Sequence, residues 1–312
     1  MNNHSPLSPQ LTPIFYFIGV STLQSSIMGV FPRWATMLGL DAQIVGYDAP
    51  LGAPPSTYRA IVEHIKHDPH VRGALVTTHK IDLLNATRDL FDQLDPYAQQ
   101  CGEVSCIAKR GNELWGFAKD PISSALSWAH FVPPTYRPTV LCLGAGGAAM
   151  AISLATATLP LAHRPSRFIV VDINLARLDH LREVHHMLQT DTQFEYVLNA
   201  DALTNDALIH TLPERAVIIN ATGMGKDRPG SPVTHAVQFP HGGIIWELNY
   251  RGERLFLQQA RQQEDSRQLI VEDGWVYFLH GWTQVIAEVF QLELTADRME
   301  QFDSIASALR PH

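Results

Sequence analysis

The chain has 312 residues, 46% hydrophobic and 17% charged, with a formal net charge of -8. That length suits two domains, each able to bury its own core, and the composition excludes disordered and fibrous classes. An acidic balance without a basic stripe speaks against nucleic acid as a partner, and no apolar run nears the roughly 20 residues of a membrane helix.

Residues 1–11, rich in Asn, Ser and Pro, read as a loose leader without the basic start and cleavage site of a secretory signal, so a cytoplasmic location is expected. The apolar run 14–18 predicts a strand and 27–38 a helix, in which Pro32 must open the regular part or kink it; Gly39 is its stop. Strands over 42–47 and 73–77 flank a helix over 57–66, an alternation that predicts a mostly parallel sheet. After a polar helical stretch through Leu90 and Ala98, the runs 103–108 and 113–117 flank Lys109-Arg110-Gly111-Asn112 as a hairpin. Asp120 caps a helix begun by Pro121, with Ile122, Ala125, Leu126 and Ala129 on one face, and the Pro-rich segment 132–138 reads as a linker.

From Thr139 onward the order is strand 140–143, Gly-rich turn, helix, strand 168–172, helix and strand 217–220. A strand over 243–248 and a helix around 256–261 come next. From Gly274 the pattern is helical and is expected to return to the first domain. The fold class is thus α/β: a substrate domain of 1–121 plus 275–312, and a Rossmann-type dinucleotide-binding domain of 122–274. Cys101, Cys106 and Cys142 are odd in number and the 15 His are scattered, so neither a disulfide scaffold nor a metal site is expected. The cysteines read as small semi-apolar residues beside strands.

Gly144-Ala145-Gly146-Gly147-Ala148-Ala149 directly follows an apolar strand and opens a helix. The first Gly permits a tight turn, the second lets backbone approach a pyrophosphate, and Ala149 lets helix and strand pack closely. Helix-start N–H groups then face the phosphates. Asp172 ends the next strand, where a carboxylate accepts from ribose hydroxyls and repels a ribose phosphate, which favours NAD over NADP. A strand-end Asp capping the following helix is the plainer alternative.

Several segments, in order across nearly the whole chain, resemble the shikimate and quinate dehydrogenase family. Gly144 to Ala149 resembles its glycine turn, and Asn220-Ala221-Thr222-Gly223-Met224 its loop beside the nicotinamide. Asp172-Ile173-Asn174 stands where NADP-using members commonly carry Asn-Arg-Thr. The segment from Gly19 to Leu40 resembles the family's Gly-x-Pro-x-x-His-Ser-x-Ser-Pro and the helix after it; Ser25 is kept, while Ser21, Gln24, Ile27 and Met28 depart from the pattern. Gly73 to Lys80 resembles Gly-x-Asn-Val-Thr-x-Pro-x-Lys but is one residue shorter, with Leu75 at the Asn. Lys80 matches the catalytic Lys and Asp120 the Asp of Gly-x-Asn-Thr-Asp, where Ala118 and Lys119 replace its neighbours. Ser105 stands at a substrate-binding Asn, Tyr250 at a substrate-facing Tyr, and Gly281 at a substrate-binding Gln for which Gln284, one turn away, is the substitute.

The resemblance implies a catalytic pair, Lys80 and Asp120, with Ser25, Thr77, Ser105, Tyr250 and Gln284 around a small-molecule substrate. Alcohol oxidation needs hydride transfer to nicotinamide and removal of the hydroxyl proton, a task that suits a Lys beside a carboxylate. From spacing alone, Lys80 is a solvated strand-end lysine and Asp120 a helix cap; the family match reverses that preference. Lys119 beside Asp120 reads as a weak candidate for an anionic substrate, and Trp275, Tyr277, Phe278 and Trp282 as core more than pocket lining. The expected activity is an NAD-dependent oxidoreductase acting on a secondary alcohol of a cyclic hydroxy acid or polyol. A dinucleotide-binding regulatory protein and an enzyme using bound NAD for transient oxidation stay open, as does a homodimer.

Overall fold

In the computed structural model, residues 7, 12–226 and 228–310 are described, so the expected leader, Leu7 aside, lies outside them. The chain divides into two compact units: the residues up to Lys119 together with those from Gly281 onward, and Asp120–His280.

The first unit begins with β1 (Ile14–Gly19), buried along its whole length as a central strand between two neighbours must be. Next come α1 (Ile27–Leu38) and β2 (Gln43–Asp48). Pro32 lies inside α1, where its missing N–H deprives the Met28 carbonyl of its helical donor. Helix α2 (Pro55–His67) starts on a proline, whose fixed φ suits a first turn, and leads through β3 (Val71–Val76) to α3 (Lys80–Thr87). The remainder is β4 (Gln93–Leu94), α4 (Pro96–Cys101) and the hairpin of β5 (Cys106–Arg110) and β6 (Glu113–Phe117). The expected run 103–108 pairs as strand only from Cys106, because Gly102 closes α4 and the next residues serve as a connection. Six strands form the order β2-β1-β3-β5-β6-β4, with β5 antiparallel to both neighbours.

In the second unit, α5 (Asp120–Phe131) leads to β7 (Thr139–Leu143), α6 (Gly147–Ala157), β8 (Arg167–Asp172) and α7 (Leu175–His186). Edge strand β9 (Gln193–Leu198), α8 (Ala202–His210) and β10 (Val217–Asn220) follow. Then come β11 (Ile244–Glu247), α9 (Leu255–Arg261), α10 (Glu264–Arg267) and β12 (Ile270–Glu272). The sheet is parallel throughout, in the order β12-β11-β10-β7-β8-β9. That is the doubly wound dinucleotide-binding order, whose reversal point falls between β7 and β10.

His185 marks how tightly this unit packs. It stacks on Phe194, with Ser153 Oγ at 2.8 Å from Nε2 and Tyr196 Oη at 2.8 Å from Nδ1. Since the Ser153 hydroxyl donates to the Met150 carbonyl, Nε2–H donates to Ser153 and Nδ1 accepts from Tyr196. Burial pushes the His185 pKa down to about 3, so it is a neutral ring.

The last helices are α11 (Trp275–Phe290) and α12 (Ala296–Ser307), and the division into units falls within α11. Trp282 and Phe290 pack edge-on against Phe15, and Trp34 of α1 donates to the Phe302 carbonyl of α12. The C-terminal helices therefore complete the first unit's core. No helix among the described residues is long and apolar enough to cross a membrane.

Candidate active site

In the first unit, Lys80 opens α3 after a three-residue loop at the end of β3. Thr77 is tied to β1 by its N–H, which donates to the Ile18 carbonyl at 3.0 Å. Thr78 follows with φ +51°, a left-handed conformation that strains a β-branched residue by about 1–3 kcal/mol. His79 holds that strain in place. Its Nε2 lies 3.0 Å from the Ala49 carbonyl, which can only accept, so Nε2–H donates and Nδ1 accepts from the Tyr58 hydroxyl at 3.0 Å. With His79 buried and clamped to both Ala49 and Tyr58, half-buried Lys80 leaves a rigid mount.

One other predicted residue, Ser25, is reached from this loop through Gly19. Thr77 and Thr22 both flank Gly19, where an added Cβ would meet their methyl groups at 2.9 and 3.2 Å. Thr22, its N–H held by Asp48 Oδ1 at 2.8 Å, begins the short turn that ends at buried Ser25.

Ser105 adjoins the Lys80 loop: its carbonyl accepts from the Val76 N–H at 2.9 Å, and the Val104 N–H before it donates to the Lys80 carbonyl at 3.3 Å. Ser105 is buried and its Oγ accepts from the Lys119 N–H at 2.8 Å. The Lys119 ammonium lies over the Phe117 ring and donates to Glu288 Oε2 at 2.6 Å, while Arg110 donates to Oε1 and to the Glu288 carbonyl. Gln284 lines a cavity of about 390 Å³ with these three residues. Lys119, weighed above for an anionic substrate, thus has a protein carboxylate as its partner. Glu288 lies 169 positions from Lys119 and carried no sequence signal.

In the second unit, half-buried Asp120 opens α5, where a negative charge is favoured by the helix start. At the glycine turn, Gly144 has φ +107°, and an added Cβ would lie 2.6 Å from the Ala221 carbonyl oxygen. The turns after β7 and β10 therefore touch backbone to backbone. Gly146 faces the other way: nothing lies within 4 Å of where its Cβ would be. Residues 146–148 are half-buried at the open start of α6, a helix long enough to carry a dipole. Open space over a glycine at a helix start fits a pyrophosphate, so these residues suit a dinucleotide.

Asp172 is buried at the end of β8, and both oxygens accept from backbone: Oδ2 from Ala145 N–H at 2.6 Å and Oδ1 from Asn174 N–H at 2.8 Å. It braces the glycine turn, and each oxygen keeps acceptor capacity for a further donor. Asn174, not Asp172, caps α7, accepting from Ala176 and Arg177. Ile173 between them is 66% exposed, where a cationic side chain would be needed to meet a ribose phosphate.

Asn220 is fully buried and organises the loop after β10: its Oδ1 accepts from the Thr222 N–H and hydroxyl, and its amide donates to Glu247 Oε2 at 2.8 Å. Thr222 Oγ1 then accepts from the Met224 N–H. Glu247, also fully buried, accepts from the Asn249 N–H at 2.8 Å, and burial raises its pKa to about 7. Asn249 donates onward to the Met224 carbonyl. Sequence reading passed over Glu247 and Asn249; their only signal was a polar residue at the end of an apolar strand. Half-buried Tyr250 packs on Phe278 and Trp275; these two and Trp282 are buried, while Tyr277 is half-buried.

No family model matches the chain. It is 29% identical over 175 residues to the shikimate dehydrogenase (NADP(+)) of Streptococcus thermophilus, a match covering 56% of this chain and 59% of that protein. The shikimate 5-dehydrogenase of Listeria monocytogenes, solved with shikimate and NAD, superposes with a TM-score of 0.71 at 17% identity over 93% of this chain and 96% of that one. The quinate dehydrogenase of Corynebacterium glutamicum, solved with NAD, gives a TM-score of 0.70 at 18% identity over 93% and 98%.

Proposed function

We propose that this chain, a distant member of the shikimate/quinate dehydrogenase family, is an NAD-dependent oxidoreductase acting on a secondary alcohol of a cyclic hydroxy acid or polyol. The observation that carries the reading is the glycine turn: a parallel sheet in dinucleotide-binding order, with open space over Gly146 at its reversal point. The N–H groups at 146–148 hold the pyrophosphate, and the loop 220–224 lies beside the nicotinamide. NAD supplies a hydride acceptor or donor at nicotinamide C4.

The remaining chemistry belongs to the chain. Lys80 hydrogen-bonds the reacting oxygen, and with Asp120 it takes the hydroxyl proton as the carbon loses hydride, returning it in the reverse direction. The strained, clamped loop supports this role, since it fixes where the ammonium starts. Ser25, Thr77, Ser105, Tyr250 and Gln284 supply hydroxyl and amide groups to orient the substrate. Asp172 places negative charge beside the adenosine ribose with no cation at Ile173, a pairing that favours NAD over NADP.

The test is NADH formation followed by absorbance, with purified protein, NAD and a panel of shikimate, quinate, aminoshikimate and related cyclitols. A signal with one compound names the substrate. NAD binding without turnover on any panel member would count against this reading and favour a regulatory protein or transient oxidation.

A further inference from the structure

The first unit holds a second cavity, of about 590 Å³, where the end of α2, the start of β3, the β5–β6 turn and the end of α11 meet. It opens at the N-terminal end of β3, whereas Lys80 follows that strand's C-terminal end. Its floor is apolar, from Val71 and Val289, both nearly fully buried. Its polar lining is Lys66, His67, Arg72 and Lys109 with neutral Asn112 and Gln291, and no carboxylate is among the lining residues. In a chain of net charge -8, such a collection needs a reason.

Nearby acids offset only part of this charge. Lys66 pairs with Asp92 at 3.1 Å and donates to the Leu90 carbonyl at 2.6 Å. The Lys109 ammonium donates to the backbone carbonyl of Asp68 at 2.6 Å; the Asp68 carboxylate accepts from the His70 N–H and lies 3.8 Å from His64. Arg72 is exposed and has neither an ion pair nor a side-chain hydrogen bond among the described residues. Burial holds the Lys109 pKa below the ordinary lysine value; Asp68 opposes that shift and the Arg72 charge adds to it. Two cations crowded at one mouth, one of them unpartnered, favour an incoming anion.

We propose that this cavity is a second ligand site, taking a small anion that bears a phosphate group, held by Arg72 and Lys109 with Lys66 beside them, over the floor of Val71 and Val289. The volume is that of a small-molecule pocket, and a divalent head group matches more than one cation. The proposal does not depend on the dehydrogenase reading.

The test uses the full chain and inorganic phosphate, with phosphorus NMR line width as the readout of binding. Saturable broadening is expected, with the half-saturating concentration raised roughly tenfold in Arg72→Ser and in Lys109→Ser, the effect of losing one charge-assisted hydrogen bond. Arg33→Ser, at an exposed arginine of α1 outside the cavity lining, is expected to leave that concentration unchanged. Absence of saturable binding overturns the proposal. So does an Arg72→Ser protein with wild-type melting temperature and wild-type half-saturation, which would put phosphate elsewhere on the molecule.

Discussion

Two glycines in one turn are expected to fail in opposite ways when given a methyl group. At Gly144, φ is +107°, and alanine there is strained by about 1–3 kcal/mol. The new Cβ also lies 2.6 Å from the Ala221 oxygen, 2.7 Å from its carbonyl carbon and 2.9 Å from the Thr222 nitrogen, all backbone atoms that cannot swing aside. Overpacking of that kind adds about 1–3 kcal/mol, so the total is roughly 2–6 kcal/mol against a typical stability of about 5–15. At about 2–4 °C per kcal/mol, Gly144→Ala should melt roughly 5–20 °C lower than wild type. Gly146 has φ -84° and open space, so its alanine variant should fold within about 1 kcal/mol of wild type. The same methyl blocks close approach of the pyrophosphate and should weaken NAD binding by roughly tenfold or more, about 1.4 kcal/mol. Circular dichroism melts and NAD titration by protein fluorescence separate the two effects. Wild-type NAD affinity in Gly146→Ala, or a wild-type melt in Gly144→Ala, would refute the reasoning.

Lys80→Ala should lower turnover by about 10²–10⁴-fold while NAD affinity holds; steady-state rates close to wild type would remove Lys80 from the chemistry. Wild type should bind NAD more tightly than NADP, and Asp172→Asn should narrow that ratio. It should also cost about 1–3 kcal/mol, because one of two backbone N–H donors then faces an amide NH₂; an unchanged ratio in competitive titrations would speak against the assignment. His185 has a folded pKa near 3, below its unfolded value of about 6.5, so its contribution is complete above pH 6.5 and fades as pH falls from there toward 3. Between pH 7.5 and 5, urea unfolding should show wild type losing roughly 2 kcal/mol more than His185→Gln; parallel stability curves would contradict a buried neutral ring.

Where local pattern decides structure, reading the chain located it closely. Strand β10 and helix α1 have the residues expected of them, and the turn from β7 into α6 follows from its glycines alone. Strand β9 escaped because it is an edge: Gln193 and Glu195 alternate with Phe194 and Tyr196, so only half its residues advertise burial. The supports of the candidate site were hidden for another reason. Tyr58 and Ala49 meet His79 from 21 and 30 positions away, and Glu247 meets Asn220 across 27. Those distances are closed by sheet topology, which no window of sequence contains. Thr78 was equally silent, since nothing in a threonine announces a positive φ.

The clamp on His79 also bears on how a chain like this diverges. Both of its partners belong to the scaffold: Ala49 lies just past β2 and Tyr58 on α2, and neither is among the segments whose residues depart from the family pattern. The two anchors of the lysine's mount thus lie outside the segments 21–28 and 116–119, where recognition residues change. On the proposed function, exchanging residues 21–28, or 116–119 with Glu288, for those of a shikimate or quinate dehydrogenase should alter which alcohol is accepted while leaving the Lys80 ammonium where it stands.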